Sequence, residues 1–180
     1  MILSPSNLGR DSALSFATII KVEKRSLRRV ILLFAMTLNT FLLLLLSHVL
    51  GDVVFTSYRL AVLKRNSETF NQILAVGCHA GVHAFFAGLL VFVFGGLWLK
   101  AALLVLVLHF LIDFLRCRTE IRLFGSDRIY VKRSELFAWI SGNSKDPDKM
   151  RMSKLWPWLL IHFLDQGAHV GSLYGIALLV

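Results

Sequence analysis

Apolar runs as long as a bilayer is thick alternate along this chain with short polar stretches. Val30–Phe55, which includes the unbroken run Phe41–Leu46, exceeds the roughly 20 residues that a helix needs to cross the hydrocarbon core. It is too long for a signal peptide, and no A-x-A-like cleavage site follows it. Gln72–Phe94 reads as a second helix, Gly95-Gly96 as a short turn, and Leu97–Leu115 as a third helix. Trp156–Val180 reads as a fourth, opened by Trp156, Pro157 and Trp158 as interfacial anchor and helix start. The expected fold is all-α: a polytopic membrane protein with four transmembrane helices, about 30–55, 72–94, 97–115 and 156–180, in an antiparallel bundle.

The polar stretches fit between these spans. Residues 1–29 form a basic N-terminal extension, with Lys21, Lys24, Arg25, Arg28 and Arg29 close to the first span. Within it, Ala13–Arg29 has the character of an interfacial amphipathic helix. Ser57–Asn71 is a polar connection. Residues 116–154 make one long hydrophilic loop with ten Lys/Arg and five Asp/Glu. In that loop Lys132–Ile140 reads as an interfacial helix, with Phe137 and Trp139 at headgroup level, and Asn143–Asp148 as a turn at Pro147. No phosphate-binding loop, GxSxG elbow or internal repeat is present.

Composition supports the same class. Hydrophobic residues are 56% and charged residues 17% of the 180, against about 45–50% and 25% in soluble domains. The net charge of +9 does not point to nucleic acid, because the basic residues cluster at the ends of the apolar runs. Cys78 and Cys117 have no metal-binding or disulfide spacing and read as reduced packing residues. Gly77, Gly81 and Gly88, near one face of the second helix, would let a neighbouring helix approach closely.

Against this background each span carries two metal-ligand residues four apart: His48/Asp52, His79/His83, His109/Asp113 and Asp165/His169. That spacing stacks two side chains on one helix face. The first and third pairs lie late in their helices, the second and fourth early. In an antiparallel bundle all four pairs therefore share one half of the bilayer and can converge. An unpaired carboxylate at a helix centre costs about 2.5–3.5 kcal/mol on the insertion scale. The sequence shows no Lys or Arg inside the four helix cores near Asp52, Asp113 and Asp165. A divalent metal, one ion or two, is then the expected occupant, and histidine and carboxylate donors suit Zn first, with Mn, Fe or Co as other candidates.

Supporting roles behind the ligands fall to His162 and Gln166, and Arg116 and Arg118 are candidate contacts for an anionic headgroup or substrate.

The motifs LLLSHVLGDVVF, CHAGVHAFFAGLL, LHFLIDFLR and FLDQGAHVGSL, in this order over about Leu44–Leu179, resemble a bacterial and phage family of small membrane proteins, domain of unknown function 3307. The resemblance implies a compact four-helix membrane domain in a bacterial inner membrane and no established activity. The chain differs in its basic extension and in the stretch VVFTSYR, which lacks the Gln and Trp associated with that position. More distantly it is similar to membrane-bound metal-dependent hydrolases whose polar motifs sit in helices.

The expected function is a metal-dependent hydrolase of a lipid-linked or membrane-proximal ester or phosphoester, with the bilayer and a lipid-like substrate as partners. Asp52, Asp113 or Asp165 would serve as general base. A divalent-metal transporter, a membrane di-iron oxidase and a structural metal site in a partner-binding protein are the alternatives; a homo-oligomer also fits. Thirteen Lys/Arg on the site side against seven opposite place the site toward the cytoplasm, although the five before helix one pull the other way.

Overall fold

The computed structural model describes residues 8–55, 57–65, 68–124, 138, 141, 143 and 152–180, with side chains left out at 8–22, 25, 58 and 152–155. The expected interfacial helix Lys132–Ile140 and turn Asn143–Asp148 lie almost wholly outside the described residues. Among the described residues five helices are present: α1 (Leu8–Val54), α2 (Tyr58–Leu63), α3 (Thr69–Val93), α4 (Trp98–Phe124) and α5 (Met152–Ala177). No strand occurs among the described residues. The chain divides into two compact units, residues 1–39 and 40–180, and the whole candidate site belongs to the second.

Among the described residues three stretches are long and apolar enough to cross a membrane: Ser26–Val54, Thr69–Val93 and Trp98–Phe124. Large apolar side chains such as Val49, Phe85, Phe92, Leu115 and Phe163 face outward, while the interior holds histidines, carboxylates and their partners. That inversion of a soluble protein's arrangement is consistent with a membrane protein.

Each helix buries one stripe. In α3 the buried residues run Gln72, Ala75, Val76, His79, Ala80, His83, Ala84, Ala87, Gly88 and Val91, alternating three and one apart down one face. In α4 they are Ala101, Val105, His109, Asp113, Cys117 and Glu120, a narrower row. The stripes stack in layers one helical turn apart. An apolar layer contains Leu44, Ala87, Val105 and Leu173. Four residues along, each stripe reaches a histidine: His48, His83, His109 and His169. Four residues further stand Asp52, His79, Asp113 and Asp165.

The α3–α4 turn closes by backbone chemistry that glycine permits. Gly96 N–H donates to the Val91 carbonyl at 2.9 Å and Gly95 N–H to that of Phe92 at 3.0 Å. Gly95 adopts φ 77°, and a Cβ on Gly96 would meet Val91 Cγ1 at 2.7 Å.

Several element boundaries differ from the sequence reading. Residues 8–29 are the start of α1 rather than a separate helix. The polar connection contains α2, capped by the Ser57 hydroxyl, which accepts from Leu60 N–H at 3.2 Å. α4 continues to Phe124 instead of stopping at Leu115, because Arg116 and Glu120, four apart, pair inside at 3.1 Å and need no solvent. α5 begins at Met152, so Pro157 lies within the helix and not at its start. Gly88 does admit a neighbour, with Ala102 Cβ 3.1 Å from the position of an added Cβ, but Gly77 and Gly81 face no atom within 4 Å. Cys117 is buried, Cys78 is exposed, and both are free.

Candidate metal centre

The histidine layer closes on itself. Ring centroids lie 5.0 Å apart for His48–His83, 3.8 Å for His83–His109, 4.3 Å for His109–His169 and 4.9 Å for His169–His48. Four helices each contribute one imidazole, since the four-residue repeat of every stripe brings a histidine to the same level. His79, one turn along α3, packs against two of them, 4.5 Å from His83 and 5.1 Å from His109. All five imidazoles are buried.

The carboxylates lie against this ring. Asp52 Oδ1 is 3.3 Å from His79 Nε2 and 3.4 Å from His83 Nε2, and its Oδ2 is 3.4 Å from His48 Nε2. Asp113 Oδ2 is 3.7 Å from His79 Nε2 and 3.9 Å from His109 Nε2. Asp165 Oδ1 is 3.6 Å from His169 Nδ1 and 3.2 Å from Arg116 Nε. The structure thus brings together all eight residues that the sequence nominates. Four overlapping groups, His48/His83/His109, Asp52/His79/His83, His79/His109/Asp113 and Asp113/Asp165/His169, each place their ligand atoms within 4.8 Å of one another.

These residues fit a metal ion. Six imidazole nitrogens (both of His48, Nδ1 of His79 and His83, Nε2 of His109 and His169) are buried without a hydrogen-bond partner among the described residues. Each such orphan costs about 1–3 kcal/mol. His169 shows how the helix prepares a ligand: its Nδ1 lies 2.9 Å from the Asp165 carbonyl, which only accepts. Nδ1 therefore carries the proton, and Nε2 keeps a free lone pair.

The expectation that no basic group stands near these carboxylates is overturned. Lys64 Nζ donates to Asp113 Oδ2 at 2.8 Å, and Arg116 Nη2 to Asp113 Oδ1 at 2.9 Å. Arg65 Nε donates to Glu120 Oε2 at 2.6 Å. Lys64 and Arg65 follow α2 directly, and Gln72, fully buried, holds that turn by donating to the Lys64 carbonyl at 3.0 Å. Partners 49 and 55 residues apart leave no trace in local periodicity. One signal was present: the four-residue rhythm of α4 continues past Asp113 through Cys117 toward Glu120.

Other nominated residues take different places. Arg116 has 8% of its side chain exposed and is engaged by Asp113, Glu120 and Asp165, so it is not free for an anionic substrate. Arg118 donates to Thr69 Oγ1 at 2.7 Å and lies over the Phe114 ring, a tether between α3 and α4 rather than part of the site. His162 faces Glu120 Oε1 at 3.9 Å and the Trp158 carbonyl at 3.0 Å, away from the imidazole ring. Gln166 donates to Asp165 Oδ2 at 3.2 Å.

A family model described as "Protein of unknown function (DUF3307)" matches residues 40–179, which contain every residue of this centre. The chain belongs to the DUF3307 family. No curated protein and no solved structure matches it. The buried His/Asp groups of this DUF3307 protein can hold a metal ion, and the matched region ends one residue short of the C-terminal Val180.

Proposed function

We propose that this DUF3307 protein is an antiparallel bundle of four transmembrane helices, with α5 as the fourth span, that holds one divalent ion and hydrolyses a lipid-linked or membrane-proximal ester or phosphoester. The observation that carries this reading is a charge imbalance. Among the described residues of the cluster, the cations Lys64, Arg65 and Arg116 stand against four carboxylates, buried Asp113, Glu120 and Asp165 and part-exposed Asp52. Asp113, Glu120 and Asp165 each have a cation; among the described residues Asp52 is paired only with imidazoles. One dication with one hydroxide balances Asp52, whereas two dications would leave an uncompensated charge in low dielectric.

His48, His83 and His109 supply three nitrogens, the number that a catalytic zinc site uses while leaving a fourth position open. An ion there supplies Lewis acidity and a lowered pKa for bound water. Asp52 is one-third exposed, so it marks the side from which substrate arrives. Asp113 and Asp165 are engaged by an ammonium and a guanidinium, and Asp52 is the carboxylate placed to take a proton. Zn suits this donor set first, and Mn or Fe also fit. The surplus of Lys/Arg on the site side orients it toward the cytoplasm.

Transport is the second reading, because the four ligand groups overlap in series from Asp52 to Asp165. The fixed cations on Asp113 and Asp165 oppose it by repelling a moving ion. The test is metal analysis of detergent-purified protein, followed by assay of carboxyl-ester and phosphoester substrates in mixed micelles. About one ion per chain and chelator-sensitive turnover lost in Asp52→Asn support hydrolysis. Ion flux into proteoliposomes without turnover supports transport. Absence of metal, with a melting temperature indifferent to chelation, overturns both.

A further inference from the structure

Three nitrogens converge on a single oxygen, Asp113 Oδ2: His79 Nε2 at 3.7 Å, His109 Nε2 at 3.9 Å and Lys64 Nζ at 2.8 Å. The two histidines and Asp113 are themselves a complete three-ligand group. His109 also belongs to the His48/His83/His109 group, so two cation positions adjoin through one shared imidazole. A shared or bridging ligand is how paired metal sites are built. At the second of these positions, however, the charge is already supplied by the chain.

We infer that the Lys64 ammonium is a resident cation standing in for a second divalent ion, so that a ligand set able to hold two metals takes up one. This rests on the single-ion reading above and explains it. Lys64 is 4% exposed, and its placement is built rather than incidental. Its own amide N–H donates to the Leu60 carbonyl at 2.9 Å, closing α2, and its carbonyl accepts from Gln72 at 3.0 Å. The adjacent Arg65 locks the same turn to α4 through Glu120 at 2.6 Å. Backbone and neighbour together hold the ammonium on Asp113. A compact point charge with three donors can satisfy one carboxylate oxygen while leaving the histidine nitrogens unprotonated. It carries half the charge of a divalent ion and cannot be chelated away.

The experiment is titration of the full-length, metal-stripped chain in detergent with Zn²⁺ alone and with Mn²⁺ alone, reading bound metal per chain for wild type, Lys64→Ala and Lys64→Arg. The inference expects about one ion in wild type and Lys64→Arg and about two in Lys64→Ala. One ion in both wild type and a folded Lys64→Ala overturns the inference and leaves the single-ion reading standing. Two ions in wild type overturn the inference as well. No ion in any variant overturns the reading on which it rests. Should Lys64→Ala be too unstable to purify alone, Mn²⁺ added during solubilisation restores its melting temperature to that of wild type; failure of that rescue overturns the inference.

Discussion

Gly51 of α1 lies so close to the His83 ring of α3 that an added Cβ would sit 2.4 Å from Cε1 and 2.6 Å from both ring nitrogens. The ring has little room to retreat, because His109 stacks against it with centroids 3.8 Å apart and His79 lies 4.5 Å away. Gly51→Ala therefore pushes the imidazole out of the histidine layer. The expected result is a loss of about 1–3 kcal/mol in stability and of at least roughly tenfold in metal affinity, since misplaced ligands cost on that order. Thermal melting with and without added Zn²⁺ reads both effects. An unchanged metal affinity in the alanine variant would show that His83 needs no such close approach.

Asp52 and Asp113 are both aspartates of the same cluster, yet their asparagine variants should behave oppositely. Asp113→Asn removes the partner of Lys64 and weakens that of Arg116, leaving buried positive charge at a cost of about 3–5 kcal/mol. Asp52 faces imidazoles and is one-third exposed, so the fold of Asp52→Asn should survive while its metal content falls. Denaturation in detergent paired with metal analysis separates the two. Equal destabilisation by both would contradict the charge assignment.

Arg65 and Glu120 should be coupled. Arg65→Met leaves Glu120 with Arg116, and Glu120→Gln leaves Arg65 donating to the Ala61 carbonyl at 3.0 Å. The double variant should be more stable than the sum of the singles predicts, with an interaction energy of about 0.5–3 kcal/mol. Additivity within error would mean that the pair does not anchor α2.

The α3–α4 turn offers a control remote from the metal ligands. Gly95→Ala forces a side chain into φ 77° and should cost about 1–2 kcal/mol. Metal content per folded chain should stay at the wild-type value. A drop in both would tie the turn to the site.

Much of the centre was legible because helix geometry is local. Two ligands four apart must share a face whatever surrounds them, so His48/Asp52, His79/His83, His109/Asp113 and Asp165/His169 could be paired by spacing alone. The glycine pair at 95–96 was equally readable, since a left-handed turn residue is a backbone requirement. Lys64 and Arg65 were not readable as site residues. In sequence they belong to a polar stretch just after a span, which is where solvated basic residues ordinarily stand. Their burial depends on α2 folding back so that they meet Asp113 and Glu120 on α4. Gly51 was missed for the same reason, as nothing within α1 announces that a ring from α3 will lie on it.

The sequence by itself determined that this chain builds apolar helices with paired histidine and carboxylate ligands on single faces, because hydrophobic length and a four-residue period are properties of each segment alone. Only the tertiary structure decided that the five imidazoles form one cluster, that Asp113, Glu120 and Asp165 carry resident cations, and that among the described residues Asp52 meets only imidazoles. Those outcomes depend on contacts between helices, and charge balance in a buried cluster is settled by the whole set of neighbours, not by any one stretch of chain.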